Sequence, residues 1–126
     1  MPKPGYTGFK RVLKASEYSA KGLRSAWRHE SAFRQECIIG LLLLPCAFLL
    51  GESLAQTALL IGVCVIVLIV ELLNSAVEAA VDRMGEDHHD LAGRAKDMSS
   101  AAVALSLALV WLTWGLVAVE RLRDLA

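Results

Sequence analysis

Three stretches of this chain, residues 37–51, 53–70 and 98–119, carry no charged side chain. A helix crosses the roughly 30 Å hydrocarbon core of a bilayer with about 20 mainly apolar residues. The third stretch meets that length alone. The second meets it with its polar C-terminal extension, and the first with residues 32–35 added. In lipid a backbone must satisfy its own hydrogen bonds, so helix is the conformation open to such stretches. The sequence therefore predicts an all-α membrane protein with spans at about 32–51, 54–84 and 96–120. An apolar share of 56% and a mean hydropathy of +0.49 agree with this, because soluble domains are nearer ~45–50% apolar.

The charges fall outside those stretches and set an orientation. Residues 1–36 hold eight of the thirteen Lys and Arg, the 82–97 connection three, the tail two and the 51–56 turn none. By the positive-inside rule the N-terminus and the 82–97 loop face the cytoplasm. The opening "MPKPGYTGFKRVLK" is polar and basic, so a cleaved signal peptide is not expected. The net charge of zero gives no reason to expect a nucleic-acid partner. The basic N-terminal segment instead suits an anionic membrane surface.

Within that segment Pro2, Pro4 and Gly5 mark a frayed start and Thr7 is a candidate N-cap. Phe9, Val12, Leu13 and Ala20 then interleave with Lys10, Arg11, Lys14, Glu17 and Lys21. This pattern predicts an amphipathic surface helix at about 6–28, with Gly22 a candidate break and Trp27 an interfacial anchor. Pro45 should kink the first span or remove one of its hydrogen bonds. Residues 51–53 form the outer turn, Gly85 stops the second span, and "EDHHDLAGRAKD" is expected as a loop before a third span that starts near Asp97. Cys37, Cys46 and Cys64 lie in apolar runs without CxxC spacing and read as small buried hydrophobes.

The second span contains the chemistry. It begins "VIVLIV" and continues with Glu71, Asn74, Ser75, Glu78 and Asp82. At ~100° per residue these five occupy about a third of the helix circumference. They form a polar stripe running from lipid toward the cytoplasmic surface. Glu71 lies roughly 16 Å below Asp82 along the axis, and a deep carboxylate costs about 2.5–3.5 kcal/mol on insertion scales. Asn74 and Ser75 alone would read as helix–helix glue. Glu71 does not, because the spans offer no Lys or Arg to pair with it. Two carboxylates seven residues apart suit a buried proton acceptor and a surface group that holds a hard cation such as Mg²⁺. His88 and His89 are adjacent rather than at metal-pair spacing, so they read as solvated loop residues or as contacts to a phosphate or base. Lys96 and Asp97, after Gly93, read as an anion site at a helix start or as a boundary pair. No GxxxxGK[ST], GxGxxG or protein-kinase signature occurs.

"ELLNSAVEAAVDRMG" and "GRAKDMSSAAV", preceded by "GLRSAWRHESAFRQE", closely resemble the small integral-membrane diacylglycerol kinases of bacteria. The likeness is collinear over nearly the whole chain, and E-x-x-N-[ST]-A-[IV]-E followed by GRAKD is specific. It implies a homotrimer in the bacterial inner membrane, each chain with three spans and an N-terminal surface helix. It also implies transfer of the γ-phosphate of MgATP to the hydroxyl of diacylglycerol, giving phosphatidic acid. By matching motif it assigns Glu71 as general base, with Asn74 in support, and Glu30 and Glu78 as the carboxylates that hold Mg²⁺. It places Arg11, Tyr18, Glu30, Glu78, Asp87, His88, His89, Lys96 and Asp97 at the ATP. It places Arg24, Ser25, Ala26, Trp27, Ala32, Phe33, Arg34, Gln35, Glu36, Glu71, Ser100 and Trp114 near the lipid. The 87–89 loop and the 51–57 turn depart most from the family pattern.

Two alternatives stand beside this reading. A related branch phosphorylates undecaprenol with the same motif, although the "GLRSAWRHESAFRQE" segment resembles the diacylglycerol branch. A proton-relay transporter or assembly factor would use Glu71 as its relay group. Against it, the chain lacks the second half of a transport repeat.

Overall fold

The computed structural model describes residues 5–85 and 89–126, and among them it contains four helices and no strand. Helix α1 spans Gly8–His29, α2 Ser31–Leu50, α3 Leu54–Arg83 and α4 Asp90–Leu125. Helices α2, α3 and α4 are each long and apolar enough to cross a membrane. Many of their Leu, Ile and Val side chains face outward, including Leu41, Leu49, Leu105 and Leu116. Helices that are apolar on nearly all sides belong in lipid or against copies of themselves.

Helix α1 is continuous through Gly22, contrary to the break expected there. One glycine costs about 1 kcal/mol in a helix interior, and the flanking residues are good helix formers. The chain breaks instead at Glu30, whose extended backbone (φ −118°, ψ 104°) ends α1 and begins α2. Thr7 occupies the N-cap position, but its side chain makes no capping bond. The apolar stripe of α1 is open, with Phe9, Val12 and Leu13 all exposed, as a helix lying in a membrane interface requires.

Helix α4 begins at Asp90, about two turns before the start expected near Asp97. His89 caps it by accepting a hydrogen bond from the Leu91 amide at 3.1 Å, and Asp90 sits favourably in the first turn. Hydropathy located the apolar part of this helix and missed its polar start.

Helix α4 packs along α3, α2 packs on another side of α3, and α1 meets α2. The buried apolar core lies toward the outer turn, where Ala47, Leu60 and Val117 come together with Leu50, Ile61 and Trp114 around them. The indole Nε1–H of Trp114 donates to the Leu60 carbonyl at 3.2 Å, and Thr57 donates to the Ala47 carbonyl at 3.4 Å. A Cβ on Gly51 would collide with the Thr57 hydroxyl and crowd the Ala47 carbonyl oxygen, so a side chain here would force Thr57 to shift. Pro45 lies inside α2 without ending it. Cys46 is exposed on the outside of α2 rather than buried, while Cys37 and Cys64 are half-buried.

Candidate active site

With 30 residues, α3 is about 45 Å long, well beyond the ~30 Å hydrocarbon core. Counting ~20 residues along α3 from Leu54 puts the far hydrocarbon boundary near Asn74. Glu71 then lies about one turn inside that boundary rather than at mid-membrane, and Glu78 and Asp82 project beyond it. The insertion penalty falls accordingly, toward the lower end of the mid-membrane figures.

Glu71 is one of three buried polar residues among those described, only 6% exposed. Its surroundings are acidic, with Glu36, Glu78 and Glu30 all within electrostatic range. Among the described residues no Lys or Arg forms an ion pair with it. Carboxylates from α2, from α3 and from the α1–α2 break thus act on one another electrostatically. Glu30 also lines a cleft of about 540 Å³ between α1 and α3, together with Ser25, His29, Ser75 and Ala79. The Nδ1–H of His29 donates to the Ser25 carbonyl at 3.0 Å.

Two polar links join α3 to α4 beside this region. Lys96 pairs with Asp82 at 2.8 Å and lies within electrostatic range of Glu78. The Ser99 hydroxyl meets Asn74 Oδ1 at 2.7 Å. In the sequence Asp82 stands only as the surface end of the polar stripe, and Ser99 is not singled out. Their signal is a register between two antiparallel helices, which no single helix displays.

The remaining candidates divide clearly. Asp97 and Ser100 are exposed near Lys96. Ala26 and Phe33 are buried where α1 turns into α2, while Arg24, Ser25, Trp27, Ala32 and Gln35 are exposed around that corner. Arg34 donates from Nη1 to the Trp27 carbonyl at 2.7 Å and to the Arg28 carbonyl at 3.1 Å. It therefore satisfies the last turn of α1. Arg11 and Tyr18 lie on α1 about 28 Å and 18 Å along the helix from Glu30. His89 is committed to capping α4. Asp87 and His88 lie outside the described residues.

Trp114 is remote from Glu71 and lines a second cavity, of about 450 Å³ and almost wholly apolar, between α2, α3 and α4. Glu36 stands in its lining, with Gly40, Val67, Leu107 and Trp111. A carboxylate close to Glu71 thus adjoins a trough of acyl-chain character.

The chemistry available here is proton acceptance at Glu71 and cation binding nearer the surface. Among the described residues no three His, Cys, Asp or Glu side chains converge to hold a metal by themselves. Mg²⁺ needs no such cage, since it binds one or two carboxylates together with substrate phosphates and water. Glu30 and Glu78, two hard oxygen donors within range of one centre, fit that requirement.

Comparison with known proteins places this arrangement. The family model for prokaryotic diacylglycerol kinase matches residues 17–118. The diacylglycerol kinase of Escherichia coli K12 is 51% identical over 108 residues, covering 86% of this chain and 88% of that protein. That of Pseudomonas aeruginosa is 48% identical over 116 residues, covering 92% and 94%. That of Haemophilus influenzae is 45% identical over 109 residues, covering 86% and 92%.

Proposed function

The chain belongs to the prokaryotic diacylglycerol kinase family and is a kinase of diacylglycerol, and we propose that Glu71 is its general base. The observation that carries this is a buried carboxylate without a cationic partner, set one turn inside the lipid boundary. A diacylglycerol hydroxyl lies at that depth, whereas ATP remains in water. In the step, the lipid hydroxyl oxygen bonds to the γ-phosphorus and the bond from that phosphorus to the β–γ bridging oxygen breaks. ADP leaves, and the hydroxyl proton passes to Glu71. Phosphoryl transfer depends mainly on positioning and charge neutralisation, with a base to orient the nucleophile.

Glu30 and Glu78 are the residues that would hold Mg²⁺, which supplies positive charge against the phosphate oxygens when bound. Lys96, released from Asp82, would add a second cation there. Arg11, Tyr18 and Asp97, with the 87–89 loop, would take the rest of the nucleotide. The apolar cavity ending at Trp114 would take an acyl chain, and the exposed corner at residues 24–36 the glycerol end. The family relationship supports a homotrimer, as do the many outward apolar side chains of α2 and α4. The placement of Lys and Arg supports a cytoplasmic N-terminus in a bacterial inner membrane.

The test is ATP-dependent phosphate incorporation by purified protein in lipid vesicles, with diacylglycerol and undecaprenol offered separately. Phosphatidic acid is the expected product. Transfer to undecaprenol alone would keep the mechanism and overturn the substrate. Proton uptake into vesicles without ATP turnover would replace the kinase reading with the relay.

A further inference from the structure

Asn74 lies on the polar stripe between Glu71 and Glu78, three residues from one and four from the other, so all three share a helix face. It is half-buried, and its Oδ1 faces the Ser99 hydroxyl across the α3–α4 contact at 2.7 Å. No partner for its amide Nδ2 occurs among the described residues.

A carboxamide can turn by 180° at almost no steric cost, which exchanges a double donor for an acceptor. Between two carboxylates that exchange matters. A γ-phosphoryl group approaching this stripe carries negative charge and needs donors, while an outward Oδ1 would add a third acceptor to an already acidic site. The orientation of Asn74 therefore has to be fixed, and Ser99 is the side chain placed to fix it.

Ser99 has one proton and two oxygens near it, Asn74 Oδ1 at 2.7 Å and the Lys96 carbonyl at 3.1 Å. Helical serines often give that proton to their own backbone. Were it so here, Asn74 would donate Nδ2 to Ser99 and turn Oδ1 to the stripe. The distances argue for the other arrangement. Bonds of the O–H···O type centre near ~2.7–2.8 Å, and N–H···O bonds near ~2.9–3.0 Å. The contact with Asn74 has the length of a hydroxyl donating to a carbonyl.

We propose that Ser99 is a positioning residue for phosphoryl transfer: by donating to Asn74 Oδ1 it holds the amide donors of Asn74 toward the Glu71–Glu78 stripe. The assignment rests on the reading of Glu71 as base. It extends that reading to a residue on α4 whose hydrogen bonds run to Asn74 and to its own helix backbone. Ser99 also lies one turn from Lys96, so α4 meets the stripe through a hydroxyl bonded to Asn74 and a cation paired with Asp82.

The test compares Ser99→Ala and Ser99→Thr with the wild-type protein in diacylglycerol vesicles, reading kcat and the KM for MgATP and for lipid. It also follows the Asn74 side-chain amide by NMR. Losing one positioning hydrogen bond should lower kcat in Ser99→Ala by about three- to tenfold, with both KM values within about twofold. Thr retains the hydroxyl and should restore most of kcat. The Asn74 amide signal should broaden or split in Ser99→Ala and return in Ser99→Thr. Unchanged kcat in Ser99→Ala overturns the proposal, as does a Thr variant no better than Ala. A fall in thermal stability that accounts for all the lost activity also overturns it, because Ser99 would then only hold α3 to α4. Full activity in Glu71→Gln would instead bring down the base assignment itself. That result is distinguishable, since it does not depend on Ser99.

Discussion

The two ends of the α3–α4 pair are built on opposite principles. At the outer end Leu60 and Val117 are buried with Ala47, Gly51 closes against Thr57, and Trp114 ties its indole to a backbone carbonyl. At the opposite end the contacts are side-chain hydrogen bonds, Ser99 to Asn74 and Lys96 to Asp82, around a group of carboxylates. The outer end contributes packing and the inner end contributes charge. A membrane kinase has reason to separate them. The carboxylates repel one another, so this end adds little to its own scaffold. The apolar end holds the helices together while the polar end waits for substrate.

The strongest break in that comparison is Glu71→Gln. It keeps volume and removes the proton acceptor, so vesicle phosphorylation should fall by about 10²-fold or more while thermal stability holds or rises. A large loss of stability would mean that Glu71 belongs to the scaffold after all. Glu78→Gln comes next. It should raise the Mg²⁺ concentration needed for half-maximal rate by about tenfold. An unchanged Mg²⁺ titration would remove Glu78 from the metal site.

The opposite result is expected from Leu60→Ala at the outer end. It should destabilise the fold by about 2 kcal/mol, the lower part of the usual range because lipid is nearly as apolar as a leucine side chain. Turnover per folded molecule should remain near normal, as denaturant titration with parallel rate measurements would show. Lost turnover at full stability would couple the two ends. Gly51→Ala sharpens the same point at the turn, where the added methyl should cost about 1–3 kcal/mol through overpacking.

The smallest effect is a pH dependence at the outer turn. A hydrogen bond with Asp124 pushes the Glu52 carboxyl above its ordinary value near 4.5, helped by burial and the Asp124 charge and opposed by Arg121. A carboxyl raised on folding contributes stability that is fully present below its unfolded value and lost as pH rises through its folded one. Wild-type protein should therefore lose stability relative to Glu52→Gln as pH climbs from about 4 to 7. A constant difference between the two melting temperatures would dismiss the Glu52–Asp124 pair. The Arg121–Glu52 contact, at 3.7 Å and partly exposed, adds little.

Much of this was legible in the chain before any coordinates. Charge-free runs located the spans because a bilayer imposes one length and one polarity on every helix that crosses it. The stripe of Glu71, Asn74 and Glu78 was legible because three- and four-residue spacing fixes a helix face. Where the reading erred, the cause was local. Gly22 looked like a stop and is not one, because a single propensity is outweighed by its neighbours. The first turns of α4 looked like a loop because they are polar, although polar sequence caps and continues a helix well.

The sequence by itself thus determined the class of the protein, its four helical segments and the polar face of the second span. Each of these is a property of one helix and its solvent. Only the tertiary structure decided that Ser99 rather than Ser100 meets Asn74, that Asp82 occupies Lys96, that Arg34 closes α1, and that Gly51 sits tight against Thr57. Those are facts of register between segments. Register is set by how two apolar surfaces interlock, and hydropathy and helical period are the same for every register the pair might adopt.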